Sequence, residues 1–122
     1  MKAKNKEKKY TIYYDNKDIE ISVTKLGDTF DKIKKLIQST GISYRTGYIL
    51  INQKAFNTLF LPFNVDIVIT NKNNVVIDTI INLKANKITN YYENAMFFYV
   101  FPKNTIEIFL IEKDHEFKHI KV

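Results

Sequence analysis

The sequence contains no cysteine and no tryptophan, only three glycines and two prolines. Without cysteine there is no disulfide, no thiolate zinc site and no cysteine nucleophile. The glycines are Gly27, Gly41 and Gly47, and none opens a phosphate-binding loop. Between Gly41 and Gly47 lie five residues, but Tyr48 stands where such a loop needs lysine. No run of about 18 uninterrupted apolar residues occurs, so no helix is expected to span a membrane. No apolar stretch follows the lysine-rich start, so no signal peptide is read. These absences predict a cytoplasmic protein, with export of a longer precursor left open.

Arginine is almost missing too. Arg45 stands alone among 19 basic residues. Specific readers of phosphate or guanine lean on arginine's planar fork. The net charge of +6 is also unevenly placed. Lys2, Lys4, Lys6, Lys8 and Lys9 against Glu7 give residues 1–9 most of it. The spacing therefore predicts a basic flexible tail over 1–9 and a nearly charge-balanced single domain over 10–122.

What is present is isoleucine, 18 times, against four alanines. That bias favours strands over helices. Tyr10 to Asp15 and Asp18 to Leu26 read as a hairpin turning at Asn16-Lys17. In that register Tyr10 meets Val23, Ile12 meets Ile21 and Tyr14 meets Ile19 on one apolar face. One amphipathic helix is predicted over about 29–40. Asp28 caps it, Phe30, Ile33, Leu36 and Ile37 form its apolar stripe, and Gly41 follows its end.

Further strands are read at Gly47 to Asn52, Phe60 to Thr70, Val75 to Leu83, Met96 to Phe101 and Thr105 to Glu112. Asn71 to Asn74 and Pro102 to Asn104 supply the turns. The polar segment Lys84 to Asn94 reads as a loop or short irregular helix. The sum is an α+β domain with a mainly antiparallel, curled β-sheet or small barrel-like sheet.

From Gly47 to Asp114 the chain resembles the small prokaryotic family catalogued as domain of unknown function 192. The likeness lies in Leu59-Phe60-Leu61-Pro62-Phe63-Asn64-Val65-Asp66-Ile67-Val68-Ile69, then a polar turn and Val75-Val76-Ile77. Leu83-Lys84-Ala85 approximates the family's Leu-Lys-Pro stretch, and Phe98-Tyr99-Val100-Phe101-Pro102 its strand ending in proline. Asp114 matches an aspartate near the family's C-terminal end. The family's glutamate before that proline is Val100 here, and the glycine before its last aspartate is Lys113. The resemblance implies a compact β domain and no particular reaction.

Several side chains are candidates for chemistry. Asp66 and Asp78 sit within apolar strand runs. They read either as a carboxylate pair for acid–base work or as structural acceptors. Of the two, Asp66 is the catalytic candidate, with Arg45 as its expected charged partner. His115 and His119 are four apart, a spacing that on a helix could hold a metal. No third ligand accompanies them, and a frayed or extended tail is the alternative. No metal or cofactor is expected.

The segment Asn57 to Asn64 crowds Leu59, Phe60, Leu61 and Phe63 around Pro62. With Tyr91 and Tyr92 it predicts an apolar, aromatic site for a small ligand or protein partner near Phe60, Phe63 and Asp66. The function expected is a non-enzymatic binding or accessory domain. The alternatives are a hydrolase-like or lyase-like enzyme using Asp66, and nucleic-acid binding through the lysine tail.

Overall fold

The computed structural model describes residues 8–25, 42–58, 61 and 63–122. The predicted helix over 29–40, the tail residues 1–7 and Phe60 lie outside these.

Seven strands and one short helix make up the described chain. They are β1 (Lys8–Tyr14), β2 (Lys17–Lys25), β3 (Thr46–Ile51), β4 (Val65–Thr70), β5 (Val76–Leu83), β6 (Phe97–Pro102), α1 (Thr105–Phe109) and β7 (Phe117–Lys121). One sheet contains all the strands, in the order β5-β4-β6-β3-β2-β1-β7. The β2–β3 pairing is parallel and every other pairing is antiparallel. A parallel pair needs a crossover. Residues 26–45 provide that connection.

The edge strands β5 and β7 do not pair along their lengths. They meet at one corner, through a bridge between Val75 and Glu116. The Val76 amide donates to the His115 carbonyl at 2.9 Å, and the Phe117 amide to the Asn74 carbonyl at 2.8 Å. The sheet is thus curled and mixed, and it is not closed.

The first hairpin forms, but its turn sits one residue earlier than the sequence suggests. Tyr10 pairs with Val23 and Thr11 with Ser22 as expected, whereas Tyr13 pairs with Asp18 and Tyr14 with Lys17. Asp15 (φ 50) and Asn16 (φ 66) occupy the turn. A two-residue turn of this hand needs positive φ at both positions. Asp and Asn adopt that conformation far more readily than lysine. A bulge at Glu20 (φ 59) restores the register. Asparagine does glycine's work elsewhere too: Asn52, Asn74, Asn82, Asn86 and Asn104 all have positive φ.

Three further expectations are corrected. Lys8 and Lys9 belong to β1, paired with Lys25 and Thr24, and so are not tail residues. Thr105 to Glu112 is not a strand: it holds α1, bounded by left-handed Asn104 (φ 80) and Leu110 (φ 56). The C-terminal residues are not frayed, since β7 pairs with β1 from Phe117 to Lys121.

Two apolar clusters cover the two faces. The concave one contains Ile12, Ile21, Val23, Ile49, Val68, Tyr99, Phe101 and Phe117, joined by Ile106 of α1 and by Ile111. The outer one contains Leu50, Phe56, Leu61, Val65, Ile67, Ile69, Phe98 and Val100. β4 is consequently buried at every position, which is why its run is continuously apolar save Asp66 and Thr70. Each fully buried aliphatic or Phe side chain contributes about 1.5–3 kcal/mol of transfer free energy.

The segment 84–95 is an extended loop stitched to residues 54–58. The Thr58 hydroxyl donates to the carbonyls of Lys84 and Lys87 at 2.8 and 2.9 Å. The Phe56 amide donates to Thr89 Oγ1 at 2.9 Å, and the Tyr92 amide to the Lys54 carbonyl at 2.7 Å.

Candidate functional site

β4 places Asp66 on its inner face, beside the start of α1. The side chain is fully buried. Oδ1 accepts the Asn82 amide of β5 at 2.8 Å, and Oδ2 accepts the Ile106 amide of α1 at 2.9 Å. Backbone amides are strong partners for a buried carboxylate. Both oxygens are therefore occupied by the chain itself.

Asp78 is also engaged locally. Its Oδ1 accepts the Thr79 amide at 2.9 Å, and its Oδ2 accepts the Tyr92 hydroxyl at 2.5 Å. Burial, then the bond to Asp78, pushes the Tyr92 phenol up to about 12. Tyr92 thus remains a protonated donor at neutral pH. Its ring stands 6.1 Å from that of Phe98. Tyr91, next to it, is 71% exposed.

Arg45 does not meet Asp66. Its Nη1 donates to the carbonyls of Ile19 and Glu20 at 3.3 and 3.4 Å and lies 3.8 Å from Glu20 Oε1. The guanidinium also stands over the rings of Tyr44 and Phe109, at 5.6 and 5.3 Å.

Phe63 lines an open cleft of about 580 Å³, with Ile42, Asn64, Pro102 and Lys103. Two ladder partners position this cleft. Val65 at the start of β4 pairs with Pro102 at the end of β6, so the residues flanking them converge. The walls are apolar, and Lys103 and Asn64 supply the polar groups. Asp66 lies next along β4 but points inward, away from water. Pro102 and Lys103 were legible only as a turn. Their place beside Phe63 follows from long-range pairing of β4 with β6.

The two histidines part company. His115 Nδ1 lies 2.6 Å from Asp15 Oδ2, and its Nε2 lies 3.6 Å from Glu112 Oε1. The Asp15 bond raises the imidazole above its ordinary value and lowers the carboxyl. His119 faces the concave side, where its Nδ1 is 2.8 Å from the Tyr99 hydroxyl. Burial, aided by Lys25, holds His119 down to about 4. Burial also raises Tyr99. His115 precedes β7 and is held by Asp15 and Glu112, whereas His119 lies within β7 against Tyr99, so the two are not set side by side as on one helix face. Among the described residues, no group of three His, Cys, Asp or Glu side chains could hold a metal ion.

No described helix is long and apolar enough to cross a membrane. No family model matches the sequence, and no curated protein matches it significantly. The fold matches two crystal structures. One, described as a candidate transcription regulator from Sinorhizobium meliloti 1021, superposes with a TM-score of 0.80 at 8% identity. That match covers 96% of this chain and 98% of the other. The second is a protein of unknown function from Novosphingobium aromaticivorans DSM 12444, with a TM-score of 0.70 at 10% identity. It covers 90% of this chain and 83% of the other. At these identities the likeness is one of fold, and the function of this chain is unknown.

Proposed function

We propose that this chain is a non-enzymatic binding domain, and that its ligand is a small molecule with an apolar body seated against Phe63, Ile42 and Pro102. The observation that carries this reading is the cleft itself. Its volume of about 580 Å³ falls in the range of small-molecule sites, which pair apolar walls with a few polar groups. Lys103 and Asn64 would fix the orientation of a polar end, and Phe60 is kept in the proposal on its sequence alone. The engagement of both Asp66 oxygens by backbone amides supports a structural carboxylate over a catalytic one. Arg45, Tyr91 and Tyr92 lie outside this reading of the site.

The chain is further proposed to belong to the family that it resembles, and to work in the cytoplasm as an accessory domain. The description of one fold neighbour as a candidate transcription regulator favours a second reading, nucleic-acid binding. The N-terminal lysines would supply the phosphate contacts.

A thermal-shift screen of apolar and amphipathic small molecules tests the first reading, since a ligand raises the melting temperature by mass action. The expected result is a ligand whose shift vanishes in Phe63→Ala. A ligand whose shift is unchanged in Phe63→Ala would count against the cleft. Salt-sensitive heparin retention that is lost on deletion of residues 1–7 would favour the nucleic-acid reading, and retention unchanged by that deletion would count against the N-terminal lysines as its source.

A further inference from the structure

The Phe63 cleft carries charge at one place. Among its described lining residues, Lys103 alone is charged, and none is a carboxylate. Ile42, Phe63, Asn64 and Pro102 are half-buried, whereas Lys103 is exposed. The apolar walls are thus the more sheltered part and the cation the more open one. An apolar body with one negative end matches that order.

The fold gives Lys103 no counter-charge. No ion pair among the described residues includes it. Asp66 follows Val65, the ladder partner of Pro102, but it is fully buried and spends its two oxygens on the Asn82 and Ile106 amides. Glu107 stands four residues beyond Lys103. Left-handed Asn104 (φ 80) lies between them, so Lys103 is not on the helix and the spacing that would bring the two together is broken.

The backbone fixes where Lys103 begins. Pro102 is held by its pairing with Val65, and its carbonyl accepts the Thr105 hydroxyl at 2.8 Å. Asn64, next to Val65 on the opposite strand, adds a side-chain amide that can donate. A carboxylate accepts from both groups, whereas an amine would meet a like charge. One lysine and one amide suit a single negative charge, and a phosphate monoester brings nearly two.

We propose that the ligand of the Phe63 cleft is an organic carboxylate with an apolar tail. Its oxygens take the Lys103 ammonium and the Asn64 amide, and its tail rests on Ile42, Phe63 and Pro102. This rests on the cleft being the binding site and adds the charge of what binds there.

Octanoate, octanol and octylamine share one tail and differ in the charge of the head. Each is titrated into the ¹⁵N-labelled protein and followed at the Asn64 side-chain amide and the backbone amides of Phe63 and Lys103. Octanoate should bind about fivefold more tightly than octanol, the effect of one exposed charge contact, and octylamine most weakly. Lys103→Gln should bring octanoate level with octanol, and Lys103→Glu should make octylamine the tightest of the three. Octanol as tight as octanoate, with both lost in Phe63→Ala, would overturn the carboxylate and leave the cleft standing. Octanoate affinity unchanged in Lys103→Glu, or octanoate that moves none of these signals, would overturn the carboxylate too. Octanoate affinity unchanged in Phe63→Ala would overturn the cleft and the proposal with it.

Discussion

Asp66 and Ile106 are joined by a buried hydrogen bond of 2.9 Å, in which the helix amide donates to the strand carboxylate across 40 residues of sequence. The other carboxylate oxygen holds the Asn82 amide at 2.8 Å. One side chain thus fastens both β5 and α1 onto β4. Ile106 and Ile111, brought in by this tie, fill one end of the concave cluster.

Removing that tie should cost stability. Asp66→Asn turns one acceptor into a donor that faces a backbone amide, and should lower stability by about 1–3 kcal/mol. Asp66→Ala orphans both amides and should cost about 2–4 kcal/mol. Urea unfolding measures both. A fully stable Asp66→Asn would mean that the carboxylate is not structural.

The close approach of Phe101 to Gly47 makes a second prediction. A Cβ on residue 47 would lie 2.5 Å from Phe101 Cδ1 and 2.7 Å from the Val100 carbonyl oxygen. The ring could turn aside, but the backbone oxygen belongs to the β3–β6 ladder. Gly47→Ala should therefore cost about 1–3 kcal/mol through overpacking. Unchanged urea unfolding would contradict this packing of β3 against β6.

Leu110 points the other way, toward an easy gain. It ends α1 at φ 56 and ψ 46, and its side chain is 74% exposed. Glycine adopts this conformation without steric cost. Glycine also loses more chain entropy on folding, which offsets part of the relief. Leu110→Gly should stabilise by about 0.5 kcal/mol, read as a raised melting temperature. A fall would show that the exposed leucine contributes packing.

The two histidines should titrate on opposite sides of their ordinary value, with opposite effects on stability. His119 is held down to about 4, so protons favour the unfolded chain. Its stabilising contribution is complete above about 6.5 and is lost as the pH falls from there toward 4. His115 is raised by its bond to Asp15. Its contribution is complete below its unfolded value and is lost as the pH rises through the higher folded one. Proton NMR of the two imidazoles follows both, and a reversed order of midpoints would contradict the assigned environments.

Much of the sheet was legible where the instructions are local. The apolar runs that became β3, β4, β5 and β6 stand within a residue or two of their expected places, except the start of β4. The Asn71 to Asn74 turn is where its asparagines put it, with the Asn73 and Val75 amides held on Asn71 Oδ1. What failed depended on distant partners. The stretch Thr105-Ile106-Glu107-Ile108-Phe109 alternates as a strand does. It is helical because left-handed Asn104 turns the chain and Asp66 caps the Ile106 amide. The parallel β2–β3 pairing also carries no local signature.

The candidate site was legible only in part. Phe63 was visible as one of several crowded aromatics, but Pro102 and Lys103 became its neighbours through the β4–β6 ladder. Charge alone points Arg45 to Asp66, whereas the fold gives it to Glu20. The i, i+4 spacing of His115 and His119 suggests a metal pair only on a helix, and β7 is a strand. The alternation of Phe117, Lys118 and His119 is the period of a strand, and it held the better signal.

On the proposed function the chain binds through the Phe63 cleft while Asp66 only holds the frame. The most direct measurement is the ligand-induced melting shift of wild type, Phe63→Ala and Asp66→Asn, taken side by side. The account predicts an undiminished shift in Asp66→Asn, from a lower starting temperature, and none in Phe63→Ala. A folded Asp66→Asn that no longer responds, beside a Phe63→Ala that still does, would contradict it.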